Sequence, residues 1–160
     1  MNTASLPDME IFRLSKSAYA DIDGAGGLIF SGRWHMAGNL VVYASQYRSL
    51  AVLESLVHLS KSNLLVIDFV LSTLFIPDEI IIEVLDLKKL SKDWNSLKKI
   101  DRTQDLGTNF LKSANHAILK VPSAIIADEY NYIINPAHKD SVNIRIVSKQ
   151  AFSFDGRLKG

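Results

Sequence analysis

Short apolar runs, several of them alternating with polar residues, recur along the chain and are broken by Gly, Pro, Asn and Lys/Asp clusters. "EIFRL" (10–14) alternates as a strand does, and the glycines at 24, 26 and 27 then predict an irregular loop. "LVVYA" (40–44) predicts a buried strand, with Ser45 placed to cap a helix running from about Gln46 to Ser60. "LLVIDFVL" (64–71) and "EIIIEVLDL" (79–87) predict two more strands, with "FIPDE" turning between them. A sparser stretch from Ser91 to Arg102 holds Trp94, and "TQDLGTNFLKSAN" (103–115) predicts a helix capped by Thr103. In the last third, "AILKVPSAIIA", "NYIIN", "VNIRIV" and "AFSF" predict short strands split by turn residues. Few helices among many short strands, without regular β–α alternation, predict an α+β fold.

The helix predicted at 46–60 changes this picture. At about 100° per residue, Tyr47, Leu50, Ala51, Val57 and His58 share a side with Glu54, while Val52, Leu56 and Leu59 cover the other side. A helix this apolar is covered on two sides, and a carboxylate in its middle must reach a cleft, a partner or a proton. Glu54 is therefore either a functional carboxylate or the solvent edge of an amphipathic helix.

Composition narrows the class. The chain has 160 residues, 48% apolar and 22% charged, which suits one folded domain with disorder confined at most to the ends. Its formal charge of +1, from 18 Lys+Arg against 17 Asp+Glu, supplies no basic field for nucleic acid. With no cysteine there are no disulfides, zinc–thiolate sites or Cys nucleophile, in keeping with a reducing compartment. "MNTASLPDME" lacks the pattern of a secretory signal, and no apolar run reaches the roughly 18 residues of a membrane span. These features predict a soluble cytoplasmic protein. There is no internal repeat or low-complexity linker.

Candidate chemistry concentrates in "LIFSGRWHMAGNLVVYAS" (28–45). Arg33 follows Gly32 and precedes Trp34, so it reads either as an anion clamp, with a glycine that lets ligand approach the backbone, or as a surface Arg in a turn. Trp34 and Tyr43 either offer stacking faces or fill the core. Ser123, in "KVPSAII", is held rigidly after a proline and either contacts ligand or bonds its own turn; no Gly-x-Ser-x-Gly elbow surrounds it. The histidines at 35, 58, 116 and 138 have no metal-ligand spacing, which predicts no metal, and "GAGG" does not form a dinucleotide fingerprint.

Taken in order, Gly32-Arg33-Trp34, "VVYAS", Glu54 in a leucine-rich helix, "VPSAII", "NYIINPAH" and "FSFDGRL" resemble the RES-domain family, toxins of bacterial toxin–antitoxin pairs. The resemblance covers about Met9 to Leu158. The name-giving Arg, Glu and Ser match Arg33, Glu54 and Ser123; Asn131, Asn135, Pro136, His138, Asp155 and Arg157 also fall where members carry such residues. Ser31 and His35 depart from the frequent Gly and Asn.

The resemblance implies a compact single domain similar to ADP-ribosyltransferases. It implies an enzyme that takes NAD as substrate and needs no other cofactor, cleaving the nicotinamide–ribose bond by hydrolysis or phosphorolysis. The alternatives are mono-ADP-ribosyl transfer to a protein and a non-catalytic partner-binding module. The expected roles are catalysis by Arg33, Glu54 and Ser123 and NAD binding by Arg33, Trp34, Tyr43, Ser123 and Asn131, with Arg33 on the pyrophosphate, Tyr43 and Trp34 on the nicotinamide and Ser123 on its ribose. A helix-turn-helix (Xre-type) antitoxin is the implied partner. A homodimer is left open.

Overall fold

The computed structural model describes residues 9–159; most of the N-terminal stretch read above for a secretory signal lies outside them. A seven-stranded sheet carries the fold, in the order β4-β5-β6-β2-β1-β3-β7. Its strands are β1 (Met9–Lys16), β2 (Val42–Ser45), β3 (Phe69–Ile76), β4 (Ile82–Val84), β5 (Ile118–Pro122), β6 (Tyr130–Ile134) and β7 (Arg145–Phe152). All neighbours are antiparallel except β4 and β5. Four α-helical segments complete it: α1 (Gly26–Ile29), α2 (Arg48–Leu56), α3 (Lys61–Leu64) and α4 (Asp101–Ser113). The fold class is α+β, as the pattern predicts.

Alternation along the strands divides the core. Ile11, Val42, Ala44, Leu74, Ile118, Tyr132 and Ile134 form one cluster. Residues of opposite parity build two others: Leu119, Val121 and Ile133 with Trp34, Phe110 and Leu111 against α4, and Phe12 and Leu14 with Ala51 and Leu56 of α2. β1 and β2 pair at a single position, Phe12 opposite Ser45, so the sheet opens beside it. Arg13 spans this split, its Nη1 donating to Tyr43 O at 3.2 Å and its Nη2 to Tyr19 O at 3.1 Å.

Several predicted boundaries move, each for a local reason. The apolar run 64–71 is not one strand: Ser60 Oγ caps α3 by accepting from Asn63 N, the chain turns through Leu65 and Val66, and pairing starts at Phe69. Of 79–87 only Ile82–Val84 pairs, as a short edge strand. The runs "VNIRIV" and "AFSF" are not two strands: Val142 and Asn143 belong to a 3-10 turn, and Arg145–Phe152 form one eight-residue strand, β7, along β3. Helix α2 begins at Arg48 with Tyr47 as its N-cap residue and no side-chain cap, so Ser45 does not cap it. Thr103 is no cap either: α4 starts two residues earlier, and the buried Thr103 hydroxyl reaches Arg33 O at 2.7 Å and Ile100 O at 2.9 Å.

Candidate active site

The Gly32–Met36 loop is fixed by one stripe of α4. Thr103 Oγ1 donates to Arg33 O, Gln104 Nε2 donates to Gly32 O at 3.0 Å, and Thr108 Oγ1 accepts from Met36 N at 3.0 Å. Residues 103, 104, 107 and 108 share a helix face. Gly107 lets the loop press onto it, since a Cβ there would lie 1.7 Å from Trp34 O. Gly32 lines the pocket and also makes room for Tyr43, since a Cβ on it would meet the Tyr43 hydroxyl at 2.6 Å.

Glu54 lies one turn beyond Leu50 and Ala51, the buried residues that seat α2 on the sheet. Its Oε1 accepts two hydrogen bonds of 2.7 Å, from Ser123 Oγ and from Asn131 Nδ2. No donor reaches Oε2 among the described residues, and Glu54 lines a pocket. Ser123 sits just past β5 and is 5% exposed; its oxygen accepts from Ile125 N and Ile126 N, both at 3.1 Å. The single hydroxyl proton is therefore committed to Glu54. The contact expected between Ser123 and a ribose is replaced by one with the carboxylate, and the residue does not line the pocket wall.

Arg33 lines the same pocket as Glu54 although the two lie on separate parts of the chain. Its Nη1 donates to Trp94 O at 3.0 Å. Burial pushes its pKa down and the negative charge of Glu54 acts the other way, so the two groups sense one another electrostatically. Tyr43 also lines the pocket, its hydroxyl fixed by Trp34 N at 3.2 Å and His35 Nδ1 at 2.7 Å. Burial raises the Tyr43 pKa, with the Trp34 N–H opposing, so the phenol stays neutral at physiological pH. Trp34 is 2% exposed and packs on Trp94 with ring centroids 5.9 Å apart, as part of the core cluster against α4. It builds the pocket wall and offers no open ring face.

The pocket measures about 860 Å³, within the roughly 300–1,000 Å³ of sites for small molecules. Besides Glu54, Arg33 and Tyr43 it is lined by Asn131, Arg13 and Asp23. Arg13 was not legible as a site residue. Burial pushes its pKa down to about 10, Asp23 partly opposing, so it stays charged at neutral pH, and its Nε is buried without a partner. The available signal was an Arg between apolar neighbours in "EIFRL". Asn135 and His138 turn out to be local supports. Asn135 Nδ2 donates to Leu111 O, and His138 Nδ1 accepts from Asp140 N to cap a 3-10 turn. Asp155 and Arg157 pair with each other on the surface. Among the described residues no group of three His, Cys, Asp or Glu could hold a metal ion, and no helix is long and apolar enough to cross a membrane.

Comparison with known proteins gives the same region a family. The RES domain family model matches residues 10–155. A protein named Toxin Res from Photorhabdus laumondii is 38% identical over 94% of this chain and 97% of its own length. A Prs ADP-ribosylating toxin from Sphingobium sp. is 34% identical over 86% of each. A chain of the M. tuberculosis MbcT–MbcA toxin–antitoxin complex shares the fold, with a TM-score of 0.71 at 13% identity over 94% of this chain and 86% of that one. The span of the family match, which contains Arg33, Glu54 and Ser123 together, places this chain in the RES domain family.

Proposed function

We propose that this protein is the toxin of a toxin–antitoxin pair and that it depletes NAD by cleaving the nicotinamide–ribose bond. One observation carries the reading: a carboxylate anchored through one oxygen, its other oxygen unpartnered, shares a pocket with two guanidinium groups and a Tyr ring. NAD is anionic at its pyrophosphate and aromatic at its nicotinamide, and the pocket has a partner for each property.

Breaking the C1′–N bond sends the electron pair to nicotinamide and leaves positive charge on the ribose, a state related to that of glycoside hydrolysis. Glu54 favours that charge through Oε2, across a short distance or by holding a ribose hydroxyl. A carboxylate already fixed by two hydrogen bonds does so without reorganising. Arg33, with Arg13 lining the same pocket, holds the pyrophosphate and so sets the ribose against Glu54. Ser123 and Asn131 hold the carboxylate still. Water or phosphate then attacks C1′ and gives up its proton to solvent, so no covalent enzyme intermediate is required. A Xre-type antitoxin with a helix-turn-helix domain would neutralise the protein by covering or entering this cleft.

The test is product analysis after incubation with NAD, with and without inorganic phosphate. Nicotinamide with ADP-ribose indicates hydrolysis, and a phosphorylated ADP-ribose formed only with phosphate indicates phosphorolysis. Intact NAD beside a protein that arrests growth sinks the reading. The name of the Sphingobium relative favours a second reading, ADP-ribosyl transfer to a protein; label from NAD on a protein band in a lysate would select it. A non-catalytic docking module has no need of an anchored carboxylate facing a charged pocket.

Arg33→Lys keeps the charge but loses the planar fork and the bond to Trp94 O. Charge-assisted hydrogen bonds contribute roughly 1.5–3 kcal/mol, so KM for NAD should rise about 10- to 100-fold with kcat less affected. Steady-state kinetics decide, and an unchanged KM removes the clamp.

A further inference from the structure

Glu54 owes one of its two anchors to a residue that does not line the pocket. We infer that Ser45 is a positioning residue for Glu54, acting through Asn131. Its hydroxyl donates to Asn131 Oδ1 and so holds the amide in the place where Nδ2 reaches the carboxylate.

The inference follows from hydrogen-bond capacity. An ionised carboxylate only accepts, so the Asn131 atom 2.7 Å from Glu54 Oε1 must be the amide nitrogen. Asn131 is buried, and its Oδ1 then needs a donor of its own. Ser45 Oγ supplies it at 2.6 Å in a bond buried at both ends, and Ser45 is 4% exposed. The register brings the two side chains together. Ser45 lies directly opposite Asn131 in the β2–β6 ladder and opposite Phe12 in β1, so strands hold it on both sides. Among the described residues nothing else donates to Asn131 Oδ1.

The carboxylate decides against the flipped amide, and the hydroxyl, which can donate or accept, secures the remaining end by donating to Oδ1. A flipped Asn131 would point Oδ1 at the carboxylate, oxygen against oxygen, and would lose the bond to Glu54. In Ser45→Ala the amide loses its only fixed donor and is free to swing away. Ser123 stays, because it is held separately by Ile125 N and Ile126 N. The loss should therefore be partial, and it should concern the placement of the carboxylate more than the binding of NAD.

The catalytic side of this inference rests on the proposed role of Glu54 in NAD cleavage, whereas its geometric side does not. The experiment accordingly reads both in the full chain. Kinetics of NAD loss are measured for the parent, Ser45→Ala, Asn131→Ala and the double variant, and side-chain amide exchange of Asn131 is followed by NMR in the parent and Ser45→Ala.

Ser45→Ala should lower kcat about tenfold, a loss on the scale of one orienting hydrogen bond, with KM within about twofold. Added to Asn131→Ala it should lower kcat less than about twofold further, because the two act as one unit. The Asn131 amide protons should exchange at least about tenfold faster in Ser45→Ala, because an amide no longer held at Oδ1 opens its Nδ2 bond to Glu54 more often. A parental kcat in Ser45→Ala, equal fold losses in both backgrounds, or unchanged Asn131 exchange would each overturn the inference. If the parent leaves NAD intact while Asn131 exchange still depends on Ser45, the NAD reading falls and the hold of Ser45 on Asn131 stands.

Discussion

Replacing Glu54 by Gln is expected to leave a folded protein that consumes NAD about 10²- to 10³-fold more slowly than the parent, the usual cost of removing one preorganised electrostatic partner. The substitution is mild for the fold, because a Gln carbonyl oxygen can accept the same two bonds from Ser123 Oγ and Asn131 Nδ2. What changes is the unpartnered position. An amide NH₂ takes the place of Oε2, so the partial positive end of a dipole faces the site where positive charge develops. Binding through Arg33 should persist, placing the loss in kcat. Thermal unfolding should show a midpoint close to the parent's, and growth arrest on induction should disappear together with NAD loss. Parental NAD consumption by folded Glu54→Gln protein would remove Glu54 from the reaction.

The members of this site are more legible in the sequence than their roles. Glu54 stood out because a carboxylate in an apolar helix is costly to leave unpartnered, and the structure gives it two buried donors. Arg33 stood out among glycines and lines the same pocket. The order of contacts was hidden, because it depends on strand register and on hydroxyl valence. Ser45 precedes a helix and has the residue type of a cap, yet its place opposite Asn131 gives the hydroxyl another partner. Ser123 resembles a ligand-contacting serine until its two backbone N–H donors are counted, which leaves its proton for Glu54 alone.

The same holds at the level of elements. β1 and the strand within 40–45 were readable because apolar runs bounded by turn residues meet burial there, with Ile11, Phe12, Leu14, Val42 and Ala44 all buried. The run 64–71 misled because its apolar residues continue through a Ser-capped turn that periodicity does not register. Arg13 carries no such signal in the sequence, because a charged residue in a strand ordinarily points to solvent. Here it fills the opening left where β1 and β2 pair at only one position, a feature of the whole sheet.

Gly107→Ala should destabilise the protein, against the helix preference of the residues themselves. In an exposed helix interior this change stabilises by about 1 kcal/mol. In α4 the new methyl would lie 1.7 Å from Trp34 O, 2.7 Å from Trp34 C and 3.1 Å from Trp34 Cβ. Two of these atoms are backbone, so no rotamer change relieves the overlap, and helix and loop must separate. Separation strains the bonds from Thr103 to Arg33 O, from Gln104 to Gly32 O and from Met36 N to Thr108. It also loosens the packing of Trp34 on Phe110 and Leu111. Overpacking typically costs 1–3 kcal/mol, occasionally more, and an overlap with fixed backbone belongs at the upper end, about 3 kcal/mol after the helix gain. For a chain of this size that lowers Tm by roughly 6–12 °C. Because the displaced loop carries Arg33 while Glu54 stands on α2, KM for NAD should rise more than kcat falls. A variant that melts at or above the parent temperature would mean that the close approach of α4 to Trp34 does not govern the position of the loop, and the fixed geometry attributed to Arg33 would go with it.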